Sequence, residues 1–249
     1  MSVMLLAACA AQHPEPVELG DTGHAGLPSH LLSARELVDA VPADANTWSL
    51  PTTVELGPDE WSSHAKCSGL VTRIIEASAE LELQDRWGCD ATVPLAWHWH
   101  ARITGALPPD PRLHRIHSVY GLRPGDLLSI RYRDCDPDLL SCGYENDACD
   151  GGSTGHIAFV DGLPSVVDEG DVLVWSVPIL DSARTGHTAE VDTRWGEDGW
   201  TDGVGRGQMR VITDRDGLPL AYAWSDSDAS TLVTSADADI AFGRWEDEP

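Results

Sequence analysis

Cys67 and His156 are the residues of this chain best suited by type to covalent chemistry. A thiol attacks a carbonyl only as the thiolate, and an imidazole beside it takes up the proton and later delivers it to a leaving group. Cys67 opens the run Lys66-Cys67-Ser68-Gly69-Leu70-Val71. At the start of a helix, unpaired N–H groups and the positive end of the dipole favour the ionised sulfur. Ser68 and Gly69 are small enough to admit a substrate carbonyl, and the Cys67 N–H is a candidate oxyanion donor. His156 stands at the mouth of an apolar strand, Gly155-His156-Ile157-Ala158-Phe159-Val160, with Gly155 lining the approach. Asp181 closes the next apolar run; if the two strands are neighbours, its carboxylate reaches the second imidazole nitrogen and fixes the tautomer. Singly, each residue has a structural explanation, since a cysteine opening an apolar helix is more often a core residue. The case rests on the three together.

The elements that must position them follow from periodicity. Leu70, Val71, Ile74, Ile75 and Ala79 fall on one helical face, with Arg73, Glu76 and Glu80 outside it, which predicts a buried helix starting at Cys67. Short helices are expected over 34–41 and 96–104, while 46–56 is too punctuated to assign. Beyond them the period shortens, and 127–133, 156–160, 172–180, 209–213 and 220–224 read as strands separated by Gly, Asp and Pro turns. Helices followed by a largely antiparallel sheet predict an α+β domain over 34–249.

Composition narrows the partners. Against 41 Asp and Glu stand 16 Lys and Arg, a net charge of −25, and the lone lysine is Lys66. Binding to a phosphate backbone needs clustered cations, so nucleic acid is not an expected partner. The start, Met-Ser-Val-Met-Leu-Leu-Ala-Ala-Cys, reads as the end of a lipoprotein signal over 1–9 with Cys9 as the lipidated residue, and 10–33 as a flexible tether. That predicts export to the periplasm or cell envelope, with membrane attachment only through Cys9. In an oxidising compartment Cys89, Cys135, Cys142 and Cys149 suit two disulfides, with three pairings open. The acidic loop 134–150 offers oxygen ligands for calcium, but its spacing misses the EF-hand pattern and a disulfide-stapled loop is the favoured reading. His98 and His100, two apart, are poorly placed for zinc, so no metal and no cofactor is expected. Most of the ten tryptophans, Trp97, Trp99, Trp175 and Trp224 among them, are assigned to the core, with one or two left to line a cleft.

The run Cys67-Ser68-Gly69-Leu70-Val71 on a helix, then Arg123-Pro124-Gly125-Asp126-Leu127-Leu128 entering a strand, then Gly155 to Val160, resembles the NlpC-type papain-like cysteine peptidases of bacterial cell walls. The resemblance spans about Ala34 to Gly243, with cysteine before histidine as in the unpermuted members. It implies a papain-like fold with N-terminal helices packed on the sheet, and a monomeric amidase acting on peptides, usually peptidoglycan stem peptides. It also implies a third catalytic position on the strand after the histidine, which falls on Asp181, with His187 as the fallback. The stretches Asp192-Thr193-Arg194 and Gly203-Val204-Gly205-Arg206-Gly207 resemble a secreted subgroup. Studied members carry a Tyr and a Gly-Gly pair before the cysteine, where this chain has Asn46-Thr47-Trp48-Ser49-Leu50, and Lys66 replaces their Asp or Asn. Trp48, Ser68, Gly69 and Gly155 are the expected substrate contacts. Two other readings share the cleft: a catalytically silent module that binds a peptide or wall fragment, and an acyltransferase or thioesterase.

Overall fold

A computed structural model describes residues 26–88, 93–135, 153–227 and 229–247. The expected lipidation site Cys9, three of the four paired-cysteine candidates (Cys89, Cys142 and Cys149) and nearly all of the acidic loop lie outside them.

The first element, α1 (Ser29–Ala40), starts five residues ahead of the expected helix and buries His30, Leu31, Ala34 and Leu37. The tether assigned to 10–33 therefore gives way to folded chain by Ser29. Position 30 looked like a polar linker residue, but the His30 Nε2 is 2.8 Å from the Gly125 carbonyl oxygen and the ring stacks on Phe159. A buried polar group of this kind is tolerated because its bond to the backbone is made. A small sheet follows, of β1 (Asn46–Thr47), β2 (Thr53–Gly57) and β3 (Glu60–His64), in which β3 lies in the middle and pairs parallel with β1.

Three helices come next: α2 (Cys67–Ala79), α3 (Leu83–Trp87) and α4 (Ala96–Thr104). The apolar stripe of α2 is the one its periodicity predicts, with Leu70, Val71, Ile74 and Ile75 fully buried. Glu76, expected outside that stripe, is buried instead. Its carboxylate accepts the Leu83 N–H at 2.8 Å and pairs with Arg73 at 2.7 Å, so it joins α2 to the start of α3. The helix begins at Cys67 without a side-chain cap, and it ends at Glu80 in the left-handed conformation.

The remaining strands are β4 (Leu113–Ile116), β5 (Leu127–Tyr132), β6 (Gly155–Val160), β7 (Ser165–Glu169), β8 (Leu173–Ala183), β9 (Trp195–Gly196), β10 (Gly199–Trp200), β11 (Gly203–Thr213), β12 (Pro219–Ala223), β13 (Leu232–Thr234) and β14 (Ala238–Trp245). β9 and β10 form a hairpin of their own. The others form one sheet in the order β13-β12-β11-β8-β6-β5-β14-β4, with β7 also on β8, and every pairing in it is antiparallel. The chain is thus an α+β domain with helices ahead of a large antiparallel sheet. The expected strands are present, and two run longer than their apolar runs: β8 extends through Asp181 to Ala183, and β11 starts at Gly203 rather than at Met209.

Alternation along the strands gives the sheet two apolar faces. Leu127, Ile157, Phe159 and Leu180 pack with α1 and α2 residues, while Leu128, Ile130, Val160, Val177, Ile179 and Met209 form a second cluster on the opposite face. β6 and β8 pair through Phe159 with Leu180 and Val160 with Ile179, and the ladder stops there. His156 and Asp181 lie beyond that last pair, where the strands part, and the start of α2 meets the sheet at this opening.

Candidate functional site

The opening holds Cys67, His156 and Asp181 together. Ser182 on β8 donates to the Ala65 carbonyl at 2.6 Å, and the Ala65 N–H donates to the Thr47 carbonyl at 3.1 Å, so the residues leading into Cys67 are fastened to both β8 and β1. The first internal bond of α2 is Leu70 N–H to the Lys66 carbonyl, 2.9 Å. The N–H groups of Cys67, Ser68 and Gly69 precede it and have no helical acceptor, as at any helix start.

The imidazole of His156 and the Ile157 N–H both act on the sulfur of Cys67 and favour its thiolate. Burial alone would raise the thiol pKa; the positive charge and hydrogen bond of His156, with the Ile157 N–H, outweigh it, and the pKa lies below its ordinary value. His156 is shifted the opposite way. Burial disfavours its cation, but the Cys67 thiolate and the Asp181 carboxylate prevail and push its pKa up to about 10. The two shifts have one cause, the mutual stabilisation of the Cys67 thiolate and the His156 cation.

Asp181 is fully buried, with His156, His187 and Arg194 around its carboxylate. Its Oδ2 is 2.7 Å from His156 Nε2, off the line of the N–H, so the contact is chiefly one of charge. The same oxygen is 3.1 Å from His187 Nε2, and Oδ1 is 2.9 Å from a terminal nitrogen of Arg194. Burial would raise this carboxyl's pKa, but Arg194, His187 and His156 hold it well below the usual carboxylate range. Arg194 in turn binds both oxygens of Asp192, at 2.9 Å each, and Asp192 also accepts the His187 N–H at 2.8 Å. His187 Nδ1 donates to the Trp224 carbonyl at 2.5 Å, and the Trp224 ring meets His156 edge-on at 4.7 Å.

The expected triad residues are therefore neighbours, and Asp181 rather than His187 faces His156. His187, the fallback, stands on the far side of the same carboxylate. Arg194 and Asp192 belong to the stretch Asp192-Thr193-Arg194, whose sequence suggests no role for them, and no periodicity marks them, because they sit on the irregular stretch between β8 and β11. Their signal was the glycines of β11. A Cβ at Gly205 would come within 2.7 Å of Arg194, and one at Gly207 within 2.7 Å of Asp192 and 2.8 Å of His187. These alternate glycines leave one face of β11 bare so that the ion cluster can lie on it.

A cleft runs over Cys67 and His156, and Trp48, Ser68, Gly69 and Gly155 all line it. Gly155 has a φ of +132°, which favours glycine, and a Cβ there would collide with the Ile130 carbonyl of β5. The space at Gly69, expected to receive a substrate carbonyl, is filled by Thr52: a Cβ would lie 2.6 Å from its hydroxyl. Gly69 is thus small for packing. Among the tryptophans, Trp48 and Trp224 line the cleft while Trp99 is fully buried. Two cations lie over the Trp48 ring, Lys66 Nζ at 4.8 Å and the Arg184 guanidinium at 4.5 Å.

Among the described residues no group of three or more His, Cys, Asp or Glu side chains is arranged to hold a metal. His98 Nδ1 accepts the Leu95 N–H at 3.1 Å, and His100 is buried, its pKa lowered to about 4 by desolvation and nearby arginines. Cys67 is a free thiol and Cys135 is disulfide-bonded, to a partner outside the described residues.

No family model matches the chain, and no solved structure matches it. It is similar to a protein of Acanthamoeba polyphaga mimivirus described as uncharacterized, 28% identical over 206 residues that span 76% of this chain and 83% of the relative.

Proposed function

We propose that the chain is a cysteine hydrolase of the NlpC-type papain-like class that cleaves amide bonds. The observation that carries this reading is a thiol at a helix start, sharing a cleft and coupled in charge with a histidine that is itself paired with a buried aspartate. The Cys67 thiolate attacks the amide carbonyl and forms a tetrahedral oxyanion, which the Cys67 N–H helps to hold. His156 gives its proton to the departing amine, leaving an S-acyl thioester on Cys67. Water then attacks the thioester as His156 takes its proton, the tetrahedral species expels the sulfur, and a carboxylic acid leaves with the thiolate–imidazolium pair restored. Asp181 keeps the imidazole oriented and stabilises its cation throughout.

Peptidoglycan stem peptides are the proposed substrates, on the strength of the sequence motifs around Cys67, Arg123 and His156. Export to the cell envelope with a lipid anchor at Cys9 is proposed with them. The oxidised Cys135 supports an extracytoplasmic setting, where disulfides persist. No described helix is long and apolar enough to cross a membrane.

Digestion of purified muropeptides by the wild-type chain and by Cys67→Ala, followed by mass spectrometry, tests the reading. New peptide termini with the wild type and none with the variant are expected. Retained cleavage by Cys67→Ala overturns it, whereas capture of fragments without turnover by either chain favours a silent binding module, and transfer to an added acyl acceptor favours an acyltransferase.

A further inference from the structure

We infer that the cleft selects substrates carrying a carboxylate close to the scissile carbonyl, with Lys66 and Arg184, both packed over Trp48, as the anion-recognising pair. The inference rests on the cysteine-hydrolase reading of the same cleft and adds the charge of what it accepts.

The observation is a reversal of sign. The chain carries 41 Asp and Glu against 16 Lys and Arg, yet no Asp or Glu is among the described residues that line this cleft. Among the described lining residues the charged ones are Lys66, the only lysine in the sequence, and Arg184, with His156 at the base. Both cations are placed. Lys66 immediately precedes the nucleophile, and Arg184 immediately follows the end of β8, three residues after Asp181. Their head groups lie 4.8 and 4.5 Å from the Trp48 ring. A cation over an aromatic face keeps its charge and hydrogen-bonding capacity while losing freedom of movement, so a ligand that binds it has less ordering to do. Arg184 is solvent-exposed and makes no ion pair with any described carboxylate, in contrast to Arg35, Arg86, Arg131, Arg194 and Arg244, each paired with an aspartate. In a strongly acidic protein such a positive cleft also focuses the local field, which draws an anion past a surface that otherwise repels it.

Trp48 is positioned independently of either cation. It follows β1, whose Asn46 side chain donates to the Val204 carbonyl at 2.9 Å and accepts the Val204 N–H at 2.7 Å, as a strand partner of β11 would. The chain leading into Trp48 is thus tied to β11. An acyl donor that seats its carbonyl over Cys67 brings an adjacent carboxylate to Lys66 and Arg184. An acidic peptide is the matching chemical class.

Alkylation of Cys67 by iodoacetate and by iodoacetamide provides the test, because the thiolate displaces iodide in both and only the charge of the reagent differs. The site of labelling is read by peptide mapping, and the iodoacetate-to-iodoacetamide rate ratio is compared with that of free cysteine, so that thiolate fraction cancels. The expected ratio at Cys67 is about tenfold above the free-cysteine value, despite the net charge of −25. It should fall in Arg184→Gln and in Lys66→Gln and reach the free-cysteine value in the double variant, with circular dichroism confirming the fold. A wild-type ratio at or below that of free cysteine overturns the anion preference and leaves the nucleophile assignment standing. Failure of both reagents to label Cys67 overturns both.

Discussion

At Cys67 the decisive quantity is a difference between two protonation states. Burial pushes the thiol up, and His156 more than reverses it, while His156 is raised to about 10 by the thiolate and by Asp181. The reactive pair therefore exists between the lowered pKa of Cys67 and that upper value. The alkylation profile of Cys67 with iodoacetamide should rise at a lower pH than that of an ordinary thiol, and removing the imidazole with His156→Ala should shift it upward, with about a tenfold loss of rate at pH 7. Equal profiles for the two proteins would show that the histidine does not activate the sulfur. Arg194 invites a second prediction. It is buried between Asp181 and Asp192, and Arg194→Met leaves two buried carboxylates short of their main cation, at a cost of about 3–5 kcal/mol. Urea denaturation measures this directly; a change under 1 kcal/mol would mean that the cluster relaxes onto water. Cys67, His156 and Asp181 were legible because each sits at the end of an apolar run. Arg194, Asp192 and the partnership of His187 with Asp181 were not, because contacts made by an irregular segment leave no periodic trace.

Elements were legible where one period dominated. The stripe of α2 and the runs of β5, β6 and β12 could be read almost to the residue. β14 was missed although it lies between β5 and β4, near one edge of the large sheet. Its sequence, Ala-Asp-Ile-Ala-Phe-Gly-Arg-Trp, breaks the alternation with a glycine and with Asp239, which pairs with Arg131 and Arg133 from the neighbouring segment. The start of β11 was missed for a related reason: glycines at 203, 205 and 207 carry no hydrophobic signal. Their role is steric, so Gly207→Ala should lower stability by about 1–3 kcal/mol through its clash with Asp192 and His187. Gly196→Ala, where a Cβ meets nothing within 4 Å, is the matched control and should unfold at nearly the wild-type temperature. Equal midpoints for the two variants would remove the steric account of β11.

For the molecule as a whole, pH sets stability through the same buried cluster. The pKa of Asp181 is lower in the folded state than its ordinary 3.8, so its contribution is complete above that value and is lost as the pH falls through the folded pKa. His156 has the opposite sign: raised from 6.5 to about 10, it adds stability that is present in full below 6.5 and disappears as the pH climbs toward 10. Thermal midpoints should thus be highest between about pH 4 and 6.5, and Asp181→Asn should flatten the acid limb. An unchanged acid limb in that variant would assign the loss to the other carboxylates of this acidic chain. The α+β class follows from the order of helices and strands, whereas the strand order could not be read from sequence, because pairings such as β14 with β5 join residues more than a hundred positions apart.

The bare face of β11 also constrains how such a sequence can drift. Gly205 and Gly207 are compatible with Arg194, Asp192 and His187 only as a set: any side chain at the glycines displaces the cluster, and a chain that has dropped the cluster no longer needs the gap. Across diverging relatives the two glycines and the three polar residues should be inherited together or lost together. A relative that keeps Asp181 but fills position 207 would have had to find a different cation to lie against that carboxylate.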